Sequence, residues 1–352
     1  MKFDHIHFYV GDAEVSRNWF IEKLGFRGVG QAVTEGCHTE AIANGPIYIL
    51  LSSPRESGSP VAKFLAHHPP GVADVAFRVA DVDGALDRAI AGGAKLLEPL
   101  QRREFAAGTL RWGTISGWGD LRHSLVEVTG ISADSRLLLH CPRPVREMRS
   151  PLQLTAIDHV VLNVNAGDLE TALNWYERVL GLQPQQTFNI QTDRSGLQSR
   201  VMVHPDGETQ FPINQPASDT SQIQEFLDVN RGSGIQHIAL RTDHIIHAVR
   251  SLKGRNLPFL SVPQTYYEQM QEKGGDRRLQ GDWDGVRALQ ILADWQHPTS
   301  EAMLLQIFTQ PIFSQPTFFF ELIERRVGAR GFGEGNFQAL FEAIEREQLQ
   351  RK

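Results

Sequence analysis

The feature that most constrains this chain is that it partly copies itself. Ile157-Asp158-His159-Val160 repeats Phe3-Asp4-His5-Ile6, and Asn174-Trp175-Tyr176 with Leu180-Gly181-Leu182 repeats Asn18-Trp19-Phe20 with Leu24-Gly25-Phe26. Gly234-Ile235-Gln236-His237 likewise matches Gly71-Val72-Ala73-Asp74. Such self-similarity implies stacked copies of one supersecondary unit. The copies differ where the later one has His237 and the earlier one Asp74. An extra metal-type ligand in one half predicts a single active centre, in the C-terminal half.

Each half opens with a predicted strand, residues 6–10 and 158–164, followed by a helix. In the second half Asp168 stands where a cap belongs, Ala172, Leu173, Tyr176, Val179 and Leu180 form an apolar stripe, and Gly181 ends the helix. The first half follows the same grammar with Asp12, Val15, Trp19, Phe20, Leu24 and Gly25. A second strand–helix unit is predicted in each half, over 73–79 then 82–91 and over 235–241 then 244–252, with Asp81 and Asp243 at the cap positions. Further strands are expected at 47–52, 303–309 and 317–324. The result is an α+β chain of about four strand–helix–strands modules, two per half. Residues 129–150, rich in Pro, Arg and Ser, break the periodicity, so the expected domains are 1–150 and 151–352. After a glycine-rich turn from Gly328 to Gly335, a closing helix is expected, capped by Asn336 and presenting Phe337, Leu340, Phe341 and Ile344 on one face.

Composition removes several function classes. With a formal charge of −6 and no Lys/Arg run, nucleic acid is not an expected partner. Cys37 and Cys141, the only two cysteines, exclude a disulfide framework or a cysteine-rich zinc module. No signal-peptide core and no apolar run of membrane-spanning length is seen, so the expectation is a cytoplasmic protein without a membrane partner.

Strand alternation places candidate ligands. His159 shares a face with Val161 and Asn163, His237 with Ile235 and Ala239, and Glu321 with Thr317, Phe319 and Ile323. If these strands line one curved sheet, two imidazoles and a carboxylate converge, the donor set of non-haem Fe(II) oxygenases, with positions left open for substrate and dioxygen. Taken singly, a strand histidine is an ordinary core residue and Glu321 a surface partner for Arg325. Yet Glu321 follows Phe318-Phe319-Phe320, where an unpaired carboxylate costs several kcal/mol to desolvate. In the first half the corresponding set reads as His5, Asp74 and Glu127, and that half is expected to be a structural partner without a metal. The stretches 185–197 and 269–283 carry little motif content, and His297 reads as a loop residue.

These motifs, together with Leu304-Leu305-Gln306-Ile307-Phe308-Thr309, Pro316-Thr317-Phe318-Phe319-Phe320-Glu321 and Gly331-Phe332-Gly333-Glu334-Gly335-Asn336-Phe337, give a chain that resembles the 4-hydroxyphenylpyruvate dioxygenase family of the vicinal oxygen chelate superfamily. The resemblance runs nearly end to end and is strongest from Ile157 to Glu345. It implies tandem βαβββ modules in two open-barrel domains with a C-terminal helix. It also implies one Fe(II) per chain, held by His159, His237 and Glu321. The family's pocket pattern maps to Gln306, Phe308, Phe337, Asn214 and Gln222 as catalytic positions and to Ser199, Pro212, Gln236, Phe319, Phe332 and Asn336 as substrate-binding ones. Alternation alone turns Gln236 away from the metal side. The implied partners are an aromatic α-keto acid and O2, with homo-oligomers usual in the family. The implied reaction converts 4-hydroxyphenylpyruvate to homogentisate and CO2 by oxidative decarboxylation, ring hydroxylation and side-chain migration. The rival readings are 4-hydroxymandelate synthase on the same substrate, an extradiol ring-cleaving dioxygenase, and a non-catalytic small-molecule binder of the same fold. The Pro212-Ile213-Asn214 spacing favours ring hydroxylation over the synthase, and the Phe332–Phe337 turn speaks against ring cleavage.

Overall fold

The computed structural model describes residues 1–106, 108–130, 143–144, 152–191, 196–295, 297, 300–336 and 339. Its first sheet is built from β1 (Lys2–Tyr9), β2 (Arg27–Val33), β3 (Cys37–Asn44), β4 (Ile47–Pro54), β5 (Gly71–Arg78), β6 (Leu96–Phe105), β7 (Gly108–Ser116), β8 (Arg122–Thr129) and β9 (Arg143–Pro144), in the order β6-β7-β8-β5-β1-β4-β3-β2-β9. The second comprises β10 (Ala156–Asn163), β11 (Gln183–Gln191), β12 (Gly196–Val203), β13 (Gln210–Pro216), β14 (Gly234–Arg241), β15 (Leu292–Trp295), β16 (Met303–Phe308) and β17 (Phe319–Arg326), in the order β11-β12-β13-β10-β14-β17-β16-β15. Apart from the edge strand β9, the two orders are the same arrangement read in opposite directions. Each sheet joins two βαβββ modules. Within a module the first strand pairs parallel with the last, and the two modules meet along an antiparallel first-strand pair, β1 with β5 and β10 with β14. Both sheets curl into half-barrels, as the resemblance implies. Most of the linker assigned at 129–150 lies outside the described residues; the closing helix already begins at Glu334, so Asn336 sits within its first turn and does not cap it, and beyond Asn336 only Ala339 is described. No helix among the described residues is long and apolar enough to cross a membrane.

The outer rows of both sheets and the helices share one hydrophobic core. Phe318 and Phe320 point into it, meeting Phe8 edge-on at 5.0 Å and Phe20 at 5.9 Å. Alternation then turns Phe319 and Glu321 to the opposite, concave face of the second sheet. Helix Leu169–Leu180 buries Leu169, Ala172, Leu173, Tyr176, Val179 and Leu180, the predicted stripe plus one residue, and ends at Gly181 with φ 70°. In the first half, helix Ala13–Leu24 buries Ala13, Phe20 and Leu24, whereas Val15 is 65% exposed. Val15 sits about 200° around the helix from Ala13, off the buried stripe.

The caps divide the other way. Asp12 and Asp81 accept from the backbone of Val15 and Gly84 as expected. Asp168 makes no cap bond; Gln215 Oε1 accepts from Gly167 N and Leu169 N in its place. Nor does Asp243 cap its helix. Glu324 Oε2, reaching across from β17, accepts from Ile245 N at 2.7 Å, as Glu127 Oε2 accepts from Val82 N at 2.9 Å in the first half. The stretch 269–283 belongs to helices Gln264–Glu272 and Gly275–Leu279, the turn that follows and the start of helix Trp283–Leu289; within 185–197, residues 185–191 lie on β11 and 196–197 on β12.

Candidate metal centre

Three strands of the second sheet bring the predicted ligands together. Val161 pairs with His237 and His159 with Ala239 across β10–β14, while Ala239 pairs with Glu321 across β14–β17. Glu321 Oε2 lies 3.3 Å from His159 Nε2 and 3.8 Å from His237 Nε2, and one donor atom from each residue falls within 4.8 Å of the others. His159 and Glu321 are buried, and 12% of the His237 side chain is exposed. This is the one group of three or more such ligands among the described residues. Two imidazole nitrogens and a carboxylate oxygen grouped so closely fit a divalent transition-metal ion with open positions on one side.

The two histidines are held differently. His159 Nδ1 bonds Asp158 Oδ1 at 3.0 Å, which leaves Nε2 to face Glu321. Asp158 is fully buried and takes guanidinium bonds from Arg241 (2.8 Å) and from Arg325 (2.8 and 2.6 Å). Burial by itself would raise the Asp158 carboxyl pKa, but Arg325 and His159 outweigh it and hold it well below the usual carboxylate range. At His159, burial disfavours the cation, yet the Glu321 and Asp158 carboxylates prevail and raise its pKa to about 9. His237 goes the other way, lowered by burial and then by the neighbouring His159. Its ring stacks on Phe319 with centroids 4.8 Å apart, and its buried Nδ1 has no hydrogen-bond partner among the described residues. Arg325 pairs with Asp158, so the expected alternative of a surface pair with Glu321 is not what the fold forms.

A β-bulge supplies Asp158. The register jumps from Ile157↔Leu240 to His159↔Ala239, leaving Asp158 as the extra residue. A second bulge corrects the expectation for Gln236. Val161↔His237 is followed by Leu162↔Ile235, so Gln236 is inserted on β14 and its side chain lines the cavity beside His237. Simple alternation fails at an inserted residue.

The cavity in front of the three ligands holds about 70 Å³, room for a few waters. Ser199, Pro212, Asn214, Gln222, Gln236, Gln306, Phe308, Phe319 and Phe332 all line it, from β12, β13, a helix N-terminus, β14, β16, β17 and the final turn. Asn336 is buried one layer behind, its Nδ2 donating to Gln306 Oε1 at 2.9 Å. Gln306 in turn donates to Glu321 Oε1 and to Phe332 O, both at 2.9 Å. Phe337 lies outside the described residues. The sequence reading missed the apolar wall residues Phe188, Leu197 and Val201, which sit in or beside the stretch that showed no motif. It also missed Asp158 as the support of His159, although the repeated Asp-His pair at Asp4-His5 carried that signal.

In the first half the ladder revises the matched set. Asp74 pairs with His7 as His237 pairs with Val161, so Asp74 is the counterpart of His237. The β5–β8 register runs Asp74↔Arg122 and Phe77↔Leu125, which places Ser124, not Glu127, at the position of Glu321. Glu127 matches Glu324 instead, as their shared capping role shows. Ser124 donates to Asp74 through both its N–H (3.0 Å) and its hydroxyl (2.5 Å).

Residues 2–111 and 156–273 match the sequence profile described as the Glyoxalase/Bleomycin resistance protein/Dioxygenase superfamily. The 4-hydroxyphenylpyruvate dioxygenases of Yarrowia lipolytica and Dictyostelium discoideum are each 35% identical over 99% of this chain, covering 92% and 98% of their own lengths. An uncharacterized protein of Synechocystis is 38% identical over 98% of the chain and 97% of its own length. Among solved structures, a mutant 4-hydroxymandelate synthase from Streptomyces coelicolor superposes with a TM-score of 0.84 at 28% identity, covering 99% of this chain and 98% of its own. With this level of identity over nearly its whole length, the chain belongs to the 4-hydroxyphenylpyruvate dioxygenase family.

Proposed function

We propose that the protein is an Fe(II)-dependent dioxygenase converting 4-hydroxyphenylpyruvate and O2 to homogentisate and CO2. The observation that carries this reading is the His159–His237–Glu321 group opening onto a cavity that pairs an aromatic wall with uncharged amides. Two imidazoles and one carboxylate leave a divalent ion several open positions, as a chelating α-keto acid and O2 both require. Bound ferrous iron would supply the one-electron chemistry that activates dioxygen.

The remaining work falls to the chain's own side chains. Phe308, Phe319 and Phe332 flank the space beside the ligands and hold an aromatic ring by apolar contact while excluding water. Ser199, Asn214, Gln222 and Gln236 bind the phenol and carboxylate without adding a titrating group near the oxidation. Gln306 orients Glu321 by donating to Oε1, and Asp158 fixes the His159 tautomer so that Nε2 faces the ion. The N-terminal half serves as a structural partner, contributing Phe8 and Phe20 to the core behind β17. The family's usual homo-oligomer is part of the same reading.

The likeness to a 4-hydroxymandelate synthase structure favours one second reading, side-chain hydroxylation of the same substrate. One experiment separates the two. The protein is loaded anaerobically with Fe(II), given 4-hydroxyphenylpyruvate, exposed to oxygen, and its product identified. Homogentisate with one CO2 is expected. Hydroxymandelate would transfer the assignment to the synthase, and no oxygen-dependent product from iron-loaded protein would sink both.

A further inference from the structure

Among the described residues, the fourth module alone inserts helices between its first helix and its next strand. Helices Gln264–Glu272, Gly275–Leu279 and Trp283–Leu289 lie between helix Ile245–Gly254 and β15. The first of these carries Tyr266, which the proposed chemistry does not use. Its hydroxyl accepts from Ala293 N at 3.0 Å, and the nearest acceptor for its single proton is Asn336 Oδ1 at 2.8 Å; Ala293 O is farther, at 3.1 Å. Burial raises the Tyr266 pKa above that of a free phenol, so the hydroxyl remains a donor.

The chain of bonds that starts at this donor is closed at its far end by Glu321 Oε1 and Phe332 O, which can only accept. Asn336 presents Oδ1 to Tyr266 and therefore Nδ2 to Gln306 Oε1, at 2.9 Å. Gln306 must then turn Nε2 inward, where its two protons meet Glu321 Oε1 and Phe332 O, each at 2.9 Å. Reversing Gln306 would set its Oε1 against Glu321 Oε1, and reversing Asn336 alone would set its Oδ1 against Gln306 Oε1. With both ends defined, neither amide can turn end for end without losing a bond, and Tyr266 supplies the outer anchor.

We infer that Tyr266 is a positioning residue for the metal carboxylate: its hydroxyl anchors the outer end of the Asn336–Gln306 relay that holds Glu321 Oε1 and leaves Oε2 to the ion. The inference rests on the metal-centre reading above and adds a residue to it. It couples the helical insert and the final turn to the ligand set, through Asn336 and through Phe332 O.

The test measures Co(II) affinity and the Co(II) visible spectrum of the full-length protein, without turnover. Tyr266→Phe should weaken Co(II) binding by about three- to tenfold, as expected for one lost hydrogen bond in a chain ending on a charge, and should alter the ligand-field bands. Tyr267→Phe is the control. It removes a buried hydroxyl from the same helix whose bond goes to Ile291 O, off the relay, and it should leave both readouts unchanged. In a Gln306→Ala background, Tyr266→Phe should have no further effect, because the route to Glu321 is already cut. Asn336→Asp supplies a second break, since it still accepts from Tyr266 but can no longer donate to Gln306, and it should match or exceed Tyr266→Phe. An unchanged Tyr266→Phe, an equal loss in Tyr267→Phe, or full additivity with Gln306→Ala would each overturn the inference. If Glu321→Gln also left Co(II) binding intact, the metal-centre reading itself would fall. If Glu321→Gln abolished binding while Tyr266→Phe did nothing, only the role of Tyr266 would.

Discussion

In the first half Asp4 holds His5 Nδ1 at 2.9 Å and is gripped by Arg78 at 3.0 and 2.7 Å; in the second, Asp158 does the same for His159 with Arg241 and, in addition, Arg325. Both aspartates are the inserted residues of equivalent bulges. The support for the first ligand is therefore duplicated, while the other two ligands are not. Where the second half has His237 and Glu321, the first has Asp74 and Ser124, bonded to each other. The Asp–Arg pair ties the first strands of two modules together in both halves, so it has a folding role that does not depend on a metal. Arg325 belongs to the second half alone, and it also donates to Gly331 O at 2.8 Å, fastening the turn that carries Phe332. A histidine can thus keep the carboxylate that holds its Nδ1 while the rest of its site is absent.

The largest expected effect is at Glu321. Glu321→Gln keeps the shape and the bond from Gln306 but removes the anionic donor, and metal retention should fall more than about a hundredfold, beyond the range for outer partners. Metal analysis after dialysis checks this, and full retention would remove Glu321 from the ligand set. Next comes the matched pair. Asp158→Asn should cost about 3–5 kcal/mol of stability, by leaving buried guanidinium charge unpaired, and weaken metal binding about 10–100-fold. Asp4→Asn, whose partner Arg78 is 25% exposed, should cost less stability and leave metal affinity unchanged. Equal losses of metal in both variants would break the distinction between the halves. The sign of the pH dependence follows from the lowered Asp158 pKa. Its contribution is present above the unfolded carboxyl value of about 3.9 and is lost as pH falls through the lower folded value. Acid unfolding of Asp158→Asn should therefore be flatter than that of the wild type.

A smaller effect is expected at Gly333. With φ +76°, a Cβ there would meet Gln306 Oε1 at 1.8 Å, so Gly333→Ala should cost about 1–3 kcal/mol and disturb the turn. Unchanged thermal stability and metal affinity would mean that Gln306 relaxes freely. The smallest effect should come from rebuilding the first half. Asp74→His with Ser124→Glu places the missing donors beside His5, and metal content should rise above one ion per chain with weak added affinity. If the stoichiometry stays at one, backbone placement as well as residue type separates the two halves.

Much of this molecule was legible in the residues because repetition, alternation and glycine punctuation are local signals. The Asp-His copies, the stripe on helix Leu169–Leu180 and the run Phe318-Phe319-Phe320-Glu321 each state a face or an end without long-range information. The three candidate ligands could be brought onto one face in the reading because each sits on a strand whose neighbours declare its orientation. Inserted residues and cross-chain substitutes were not readable. Gln236 faces the cavity because of a bulge, Gln215 and Glu324 replace nearby aspartates as helix caps, and Ser124 rather than Glu127 stands opposite Glu321.

By itself, then, the sequence determined the modular repeat, the strand faces away from the bulges and three candidate donors, since these follow from chemistry within a few residues. Tertiary structure decided which donors meet, how the amides of Gln306 and Asn336 are turned, and which half holds a complete ligand set. Those outcomes depend on strand register and on hydrogen bonds between residues 15 to 70 positions apart, distances over which local pattern carries no information about geometry.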